Sequence, residues 1–123
     1  MATISIASTK LHRGSHQWLW ETLTNGDVGG PLDTNQGSVS FADKTIHVVG
    51  TFGSNGTVVI EGSNDGTNWL TLNDPTGVAL SFTATGLKTI LENPKEIRPN
   101  VTAGDGTTDL DVYIVCRLLL EKR

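Results

Sequence analysis

Residues 57–72, TVVIEGSNDGTNWLTL, constrain the fold of this chain more than any other stretch. An apolar run enters the cluster Ser63-Asn64-Asp65-Gly66, and a second run leaves it from Trp69. Asn, Asp and Gly accept the left-handed backbone that tight strand connections need, so the segment predicts a β-hairpin. A two-residue Asp65-Gly66 loop would put Val58 and Ile60 on one face with Trp69, Thr71 and Asn73, which is half polar. A three-residue loop, Asn64-Asp65-Gly66 with Gly66 left-handed as a G1 bulge, moves the register by one. Val58 and Ile60 then share a face with Leu70 and Leu72, and that clean apolar face favours the second register. Trp69 is thereby turned to the opposite face with Val59 and Glu61, where another element or another chain must cover it.

The same design recurs along the chain. Residues 17–23 alternate, with Trp18 and Trp20 on one face and Leu19 and Leu23 on the other. Residues 25–37 hold four glycines and Pro31 and predict a long loop. Strands are expected over 38–41, 44–52, 79–83 and 87–91. Residues 96–102 alternate Ile97, Pro99 and Val101 against Arg98 and Asn100; the proline implies an edge strand or a bulge. Residues 110–120 form the longest strand, and Tyr113, Val115 and Leu119 interrupt its polar face, so it should be covered on both sides. No segment of ten residues has helical periodicity. The expectation is an all-β, antiparallel β-sandwich, jelly roll or barrel of about eight to nine strands. Residues 17–123 would form this single domain, and residues 1–16 an N-terminal arm or short strand.

At 123 residues the chain can bury one sizeable core. Its formal charge of −4 argues against nucleic acid, whose phosphates need clustered Lys and Arg. Lys10 to Arg13 and Lys122-Arg123 are short basic runs of the kind that are usually solvated. No apolar run approaches the ~18 residues of a membrane span, and the N-terminus lacks the pattern of a signal peptide.

Residues that could carry chemistry are few. Cys116 is the only cysteine and lies on the apolar face with Val112, Ile114 and Leu118, which predicts a buried, inert thiol. His12 and His16 have a ligand-like spacing, but Gly14 and Ser15 between them oppose a helix and no third ligand is near. His47 falls opposite the apolar face of its strand, exposed or at an interface. Asp105, Asp109 and Asp111 lack the oxygen-ligand pattern of a calcium loop. No set of nucleophile, base and acid can be assembled, so neither an enzyme nor a cofactor is expected. Trp18, Trp20 and Trp69 are the side chains most able to anchor either a core or an interface.

Two resemblances follow from these residues. The stretch Val59-Ile60-Glu61-Gly62-Ser63-Asn64-Asp65-Gly66-Thr67-Asn68-Trp69, followed later by Ile97-Arg98-Pro99-Asn100-Val101, is similar to the hairpin and I-R strand of discoidin-type galactose-binding jelly rolls. That implies a carbohydrate- or receptor-binding module of a phage tail or secreted protein. The longer pattern GSNDGTNWLTLNDPTG…LENPKEIRPNVTAGDGTTDLDVYIV looks like small virion proteins of tailed bacteriophages. This resemblance implies a non-enzymatic capsid decoration (cement) protein, made in the host cytoplasm and carried on the virion surface. Such proteins are commonly homotrimers on threefold positions of the lattice formed by the major capsid protein. On this reading Ile4, Ile6, Lys10 and Arg13 would reach a neighbouring subunit or the shell, and Trp18, Trp20 and Trp69 would pack under or between subunits.

Overall fold

The computed structural model describes residues 2–12, 14–36 and 39–118. None of these is helical, and they form thirteen strand segments in two sheets. In chain order the first seven are β1 (Thr3–Ile4), β2 (Ile6–His12), β3 (Ser15–Leu23), β4 (Val28–Gly29), β5 (Leu32–Asp33), β6 (Asn35–Gln36) and β7 (Val39–Thr51). The rest are β8 (Thr57–Ser63), β9 (Leu70–Thr71), β10 (Ser81–Phe82), β11 (Gly86–Thr89), β12 (Glu96–Ala103) and β13 (Asp109–Leu118). One sheet runs β1-β4-β12-β8-β10, with β5 beside β12 and β9 beside β8. The other runs β11-β7-β13-β3-β2, with β6 beside β7.

The architecture is the expected single-domain β-sandwich. The excess over eight or nine strands comes from two-residue ladders, three of which, β4, β5 and β6, lie in the stretch read as a loop. The strands expected over 38–41 and 44–52 are one strand, β7, with a register shift where Arg117 faces Asp43 and Leu118 faces Phe41.

Alternation fills the space between the sheets. Val58, Ile60, Ile97 and Val101 face inward from one sheet, and Trp18, Trp20, Ile46, Val48, Leu110, Val112, Ile114 and Cys116 from the other. Leu23 joins this core, although strict alternation sets it opposite Trp20. A bulge is the cause: Val112 pairs with Trp20 but Leu110 with Leu23, and Thr22 takes φ 58°. The extra residue returns Leu23 to the inner face. Trp20 is fully buried, and its indole N–H donates to the Gly30 carbonyl at 2.8 Å.

Pro99 does not mark an edge. Strand β12 lies inside its sheet, between β4 and β5 on one side and β8 on the other. Pro99 pairs with Ile60, whose own N–H and C=O turn away to Leu80 and Leu72. The missing N–H of Pro99 therefore falls on the far side, at the break between β4 and β5. There the proline ring packs so closely that a Cβ on Gly29 would lie 2.6 Å from Pro99 Cδ.

The hairpin keeps the predicted faces but not the predicted loop. Gly62 pairs with Leu70 and Glu61 with Thr71, so the connection spans residues 63–69. Gly66 is left-handed, at φ 77°. The loop is longer because polar side chains capture its backbone. The Ser63 hydroxyl accepts from the N–H groups of Asp65 and Gly66, and the Asp65 carboxylate accepts from those of Thr67 and Asn68. Pairing moves by two residues, an even number, so Leu72 still faces inward with Val58 and Ile60. Leu70 lies beyond the covered part of that face and is 77% exposed.

Candidate interaction surface

Residues 1–16 contribute strands to both sheets, and the chain crosses from one sheet to the other at Ser5. The start of the chain is tied down by the buried Asp27, whose carboxylate accepts from the Ala2 N–H at 3.1 Å and from the Thr24 N–H and hydroxyl. Burial alone would raise the Asp27 carboxyl, but these hydrogen bonds outweigh it and hold the group low. Ile4 and Ile6 pack half-buried against the core. Lys10 lies in β2; its side chain and all of Arg13 fall outside the described residues.

Several of the candidate chemical groups have a structural partner, and the His12 side chain falls outside the described residues. The His16 ring stacks on Trp18, centroids 4.4 Å apart, and its Nε2 lies 2.5 Å from the Ser8 hydroxyl. Cys116 lies between His16 on β3 and Lys44 on β7. Its thiol is fully buried, and desolvation pushes it up to about 12 despite the nearby Lys44 charge. Lys44, a buried cation that the sequence pattern did not single out, donates to the Ala42 carbonyl and the Asn93 side-chain oxygen. Desolvation lowers its affinity for a proton. Asp105 binds the Ser54 and Thr107 N–H groups, and Asp111 the Thr22 N–H. Among the described residues no three His, Cys, Asp or Glu side chains converge as a metal-holding group.

The three indoles are taken up within the chain. Trp18 and Trp20 lie in the core. Trp69 does turn to the outer face, and there the Arg98 guanidinium carbon sits 4.1 Å from its ring centroid. Arg98 in turn pairs with Glu61 at 2.9 Å, and Asn100 donates to the same carboxylate. The outer face of this sheet is thus centred on charge.

The outer face of the other sheet is different. The double-sided apolarity of β13 predicts a covering layer, yet Tyr113 and Val115 are only half-buried. A row of outward residues crosses five strands: Ala7, Leu19, Tyr113, His47 and Leu87. The next row holds Thr9, Gln17, Val115, Thr45 and Thr89. Neither row contains Asp, Glu, Lys or Arg. Among the described residues charge stands at the ends, with Asp111 paired to Val49 on one side and Arg117 with Asp43 on the other.

This face is concave. A depression of about 370 Å³ lies over Gln17, His47, Val49, Leu87 and Tyr113. It adjoins a second, of about 640 Å³, that reaches Asp43, Arg117, Thr89, Leu91 and Pro75. Thr45 and Val115 line both, so together they make one groove. Leu87 and Leu91 stand along its rim, 65% and 52% exposed. Sequence reasoning did not assemble this surface, although the apolar outer positions of β13 and the placement of His47 were its signals.

No protein-family model matches the chain, and no curated protein is similar to it in sequence. Among solved structures, the SPBc2 prophage-derived protein YomS is similar in fold, with a TM-score of 0.61 at 11% identity. The similarity covers 88% of this chain and 98% of that one.

Proposed function

We propose that the chain is a non-enzymatic phage structural protein, a trimeric decoration protein that binds the outside of a capsid lattice and stabilises it. The observation that carries this reading is the open, uncharged outer face of the β11-β7-β13-β3-β2 sheet. A sheet face left without a covering layer, half apolar and with charge confined to its ends, fits the anatomy of a protein interface. The pattern resemblance to small virion proteins agrees with it, as does the likeness in fold to a prophage-derived protein.

The mechanism is mechanical. A trimer lying across the seam between capsomers adds contact area where internal pressure pulls the shell apart. Interfaces of ~1,200–2,000 Å² suffice for stable association. Threefold repetition multiplies a modest affinity per subunit by avidity.

The carbohydrate-binding alternative is weaker on this molecule. A sugar platform needs a free indole face, whereas Trp18 and Trp20 are buried and Arg98 lies over one face of the half-buried Trp69. The test is co-sedimentation of the purified chain with expanded shells of its own phage. Saturable binding at a fixed copy number supports the proposal. A protein that leaves every shell in the supernatant, but whose Trp fluorescence titrates with a glycan, supports the alternative.

A further inference from the structure

We infer that the cleft beside Thr71, between the edge of β9 and residues 92–94, binds an extended peptide segment of a partner protein by strand addition. This goes beyond the decoration reading and does not rest on it.

Ladder geometry is the first argument. The Leu72 N–H donates to the Ile60 carbonyl at 2.8 Å, and Gly62 pairs with Leu70 in the same register. Hydrogen-bonded and non-hydrogen-bonded pairs alternate along an antiparallel ladder. Thr71, opposite Glu61, therefore turns its N–H and C=O away from β8. The same parity sends those of Asn73 to that side, and there both are used. The Asn73 carbonyl accepts from the Leu91 N–H at 2.8 Å, and its N–H donates to the Glu92 carboxylate at 2.8 Å. The segment that meets Asn73 then leaves the edge, and Pro94 has no N–H to offer. Pro94 packs instead on Gly62, where an added Cβ would lie 2.6 Å from its Cγ. Among the described residues none bonds the Thr71 N–H or C=O. One rung of the ladder thus stands open in a cleft of about 490 Å³. That volume falls within the ~300–1,000 Å³ of ligand clefts.

The second argument is the set of carboxamides that line the cleft, Asn64, Asn68 and Asn93. Each is held at one end by a partner whose role is fixed, so its orientation is fixed as well. Asn64 Oδ1 accepts from the Lys95 N–H, and Asn93 Oδ1 from the Lys44 ammonium. Asn68 Nδ2 donates to the Asp65 carboxylate. The opposite ends, two NH₂ groups and one carbonyl, make no bond to the described residues. They supply the donors and acceptors that a peptide group needs, and they carry no charge. Glu92, the acid that lines the cleft, already accepts twice from Asn73.

The third is Leu70, 77% exposed at the mouth of the cleft. Side chains alternate along a strand, so a neighbour of the residue that pairs with Thr71 falls beside Leu70. The segment that fits is extended and sets an apolar side chain there. Backbone hydrogen bonds supply the affinity and that side chain the selectivity, as in other strand additions. The residues lining the cleft include no aromatic ring on which a sugar could stack.

The experiment is an amide-resolved NMR titration of the full chain. The probe is a blocked peptide alternating threonine and valine, with lysine at each end for solubility. Its fully N-methylated counterpart lacks backbone N–H groups. Thr71→Pro removes the N–H that faces away from β8, a place where an edge strand tolerates proline. Leu70→Lys tests the apolar contact at an exposed position without touching the ladder. The expected result is a saturable shift of the Thr71 amide and of the Asn64 and Asn93 side-chain amides, with Kd on the order of 1 mM or tighter. Binding should weaken at least tenfold for the N-methylated peptide and for Thr71→Pro, and several-fold for Leu70→Lys. No shift of Thr71 up to about 10 mM peptide overturns the inference. Equal binding of the N-methylated peptide overturns strand addition. Shifts of the same amides by a neutral glucose oligosaccharide, and not by the peptide, assign the cleft to sugar and also overturn it.

Discussion

Arg98 lies over the ring of Trp69 at 4.1 Å while pairing with Glu61 at 2.9 Å, so one guanidinium joins the 63–69 loop to two neighbouring strands. The indole that the hairpin register turns away from the core is stacked on one face by its own chain. Glu61 and Arg98 face each other directly in the β8-β12 ladder, which fixes the geometry. A cation over an aromatic face contributes ~0.5–2 kcal/mol, rising with desolvation. Arg98→Ala should therefore lower stability by about 1–2 kcal/mol in urea unfolding and shift Trp69 emission to the red. Arg98→Lys, which keeps charge but not the planar stack, should recover only part of the loss.

Trp20 should be far less replaceable. Its side chain is fully buried, packs on Gly29 and donates to the Gly30 carbonyl. Trp20→Phe removes that donor and leaves a void, at a combined cost of about 2–4 kcal/mol. Thermal unfolding checks this, and a change under 1 kcal/mol would contradict the packing described.

Gly50 carries a backbone requirement. It stands at φ 126°, opposite Leu110, where an added Cβ would lie 2.3 Å from the Asp109 carbonyl oxygen. Gly50→Ala should force the β7 and β13 strands apart at this end and cost about 1–3 kcal/mol. Accelerated amide exchange confined to the Thr51–Asp109 end of the ladder would be the local signature.

Acid should weaken the chain partly through Asp105. The Thr107 hydroxyl and the N–H groups of Ser54 and Thr107 stabilise its carboxylate and bring it down to about 2 from the ordinary 3.8. A carboxyl held lower in the folded state than in the unfolded one contributes stability above the unfolded value. That contribution is lost as pH falls through the folded value. The stability gap between wild type and Asp105→Asn should accordingly be constant above pH ~5 and shrink between pH ~4 and ~2. A gap that does not change across that interval would contradict the hydrogen bonding described.

The inner faces of the long strands were legible in the sequence because burial imposes a period of two. Val58, Ile60, Ile97 and Val101 follow it, as do Leu110 to Cys116. What escaped was decided by contacts distant in sequence. The β4 and β5 ladders exist because β12 offers them an edge, and Pro99 sits inside a sheet because its neighbour breaks beside it. Thr22 returns Leu23 to the core through one positive φ that alternation cannot foresee. The groove was half legible: the outward Tyr113 and Val115 signalled a covered face. That its rim would come from Leu87 and Leu91 followed only from β11 pairing with β7.

The most direct test of the account is the amount of protein that pellets with expanded shells of its own phage, measured against the amount added. A trimeric decoration role predicts a plateau at a whole multiple of three copies per lattice position and its loss in Leu87→Glu/Leu91→Glu. Binding that never saturates, or that is equal in wild type and rim variant, would contradict it.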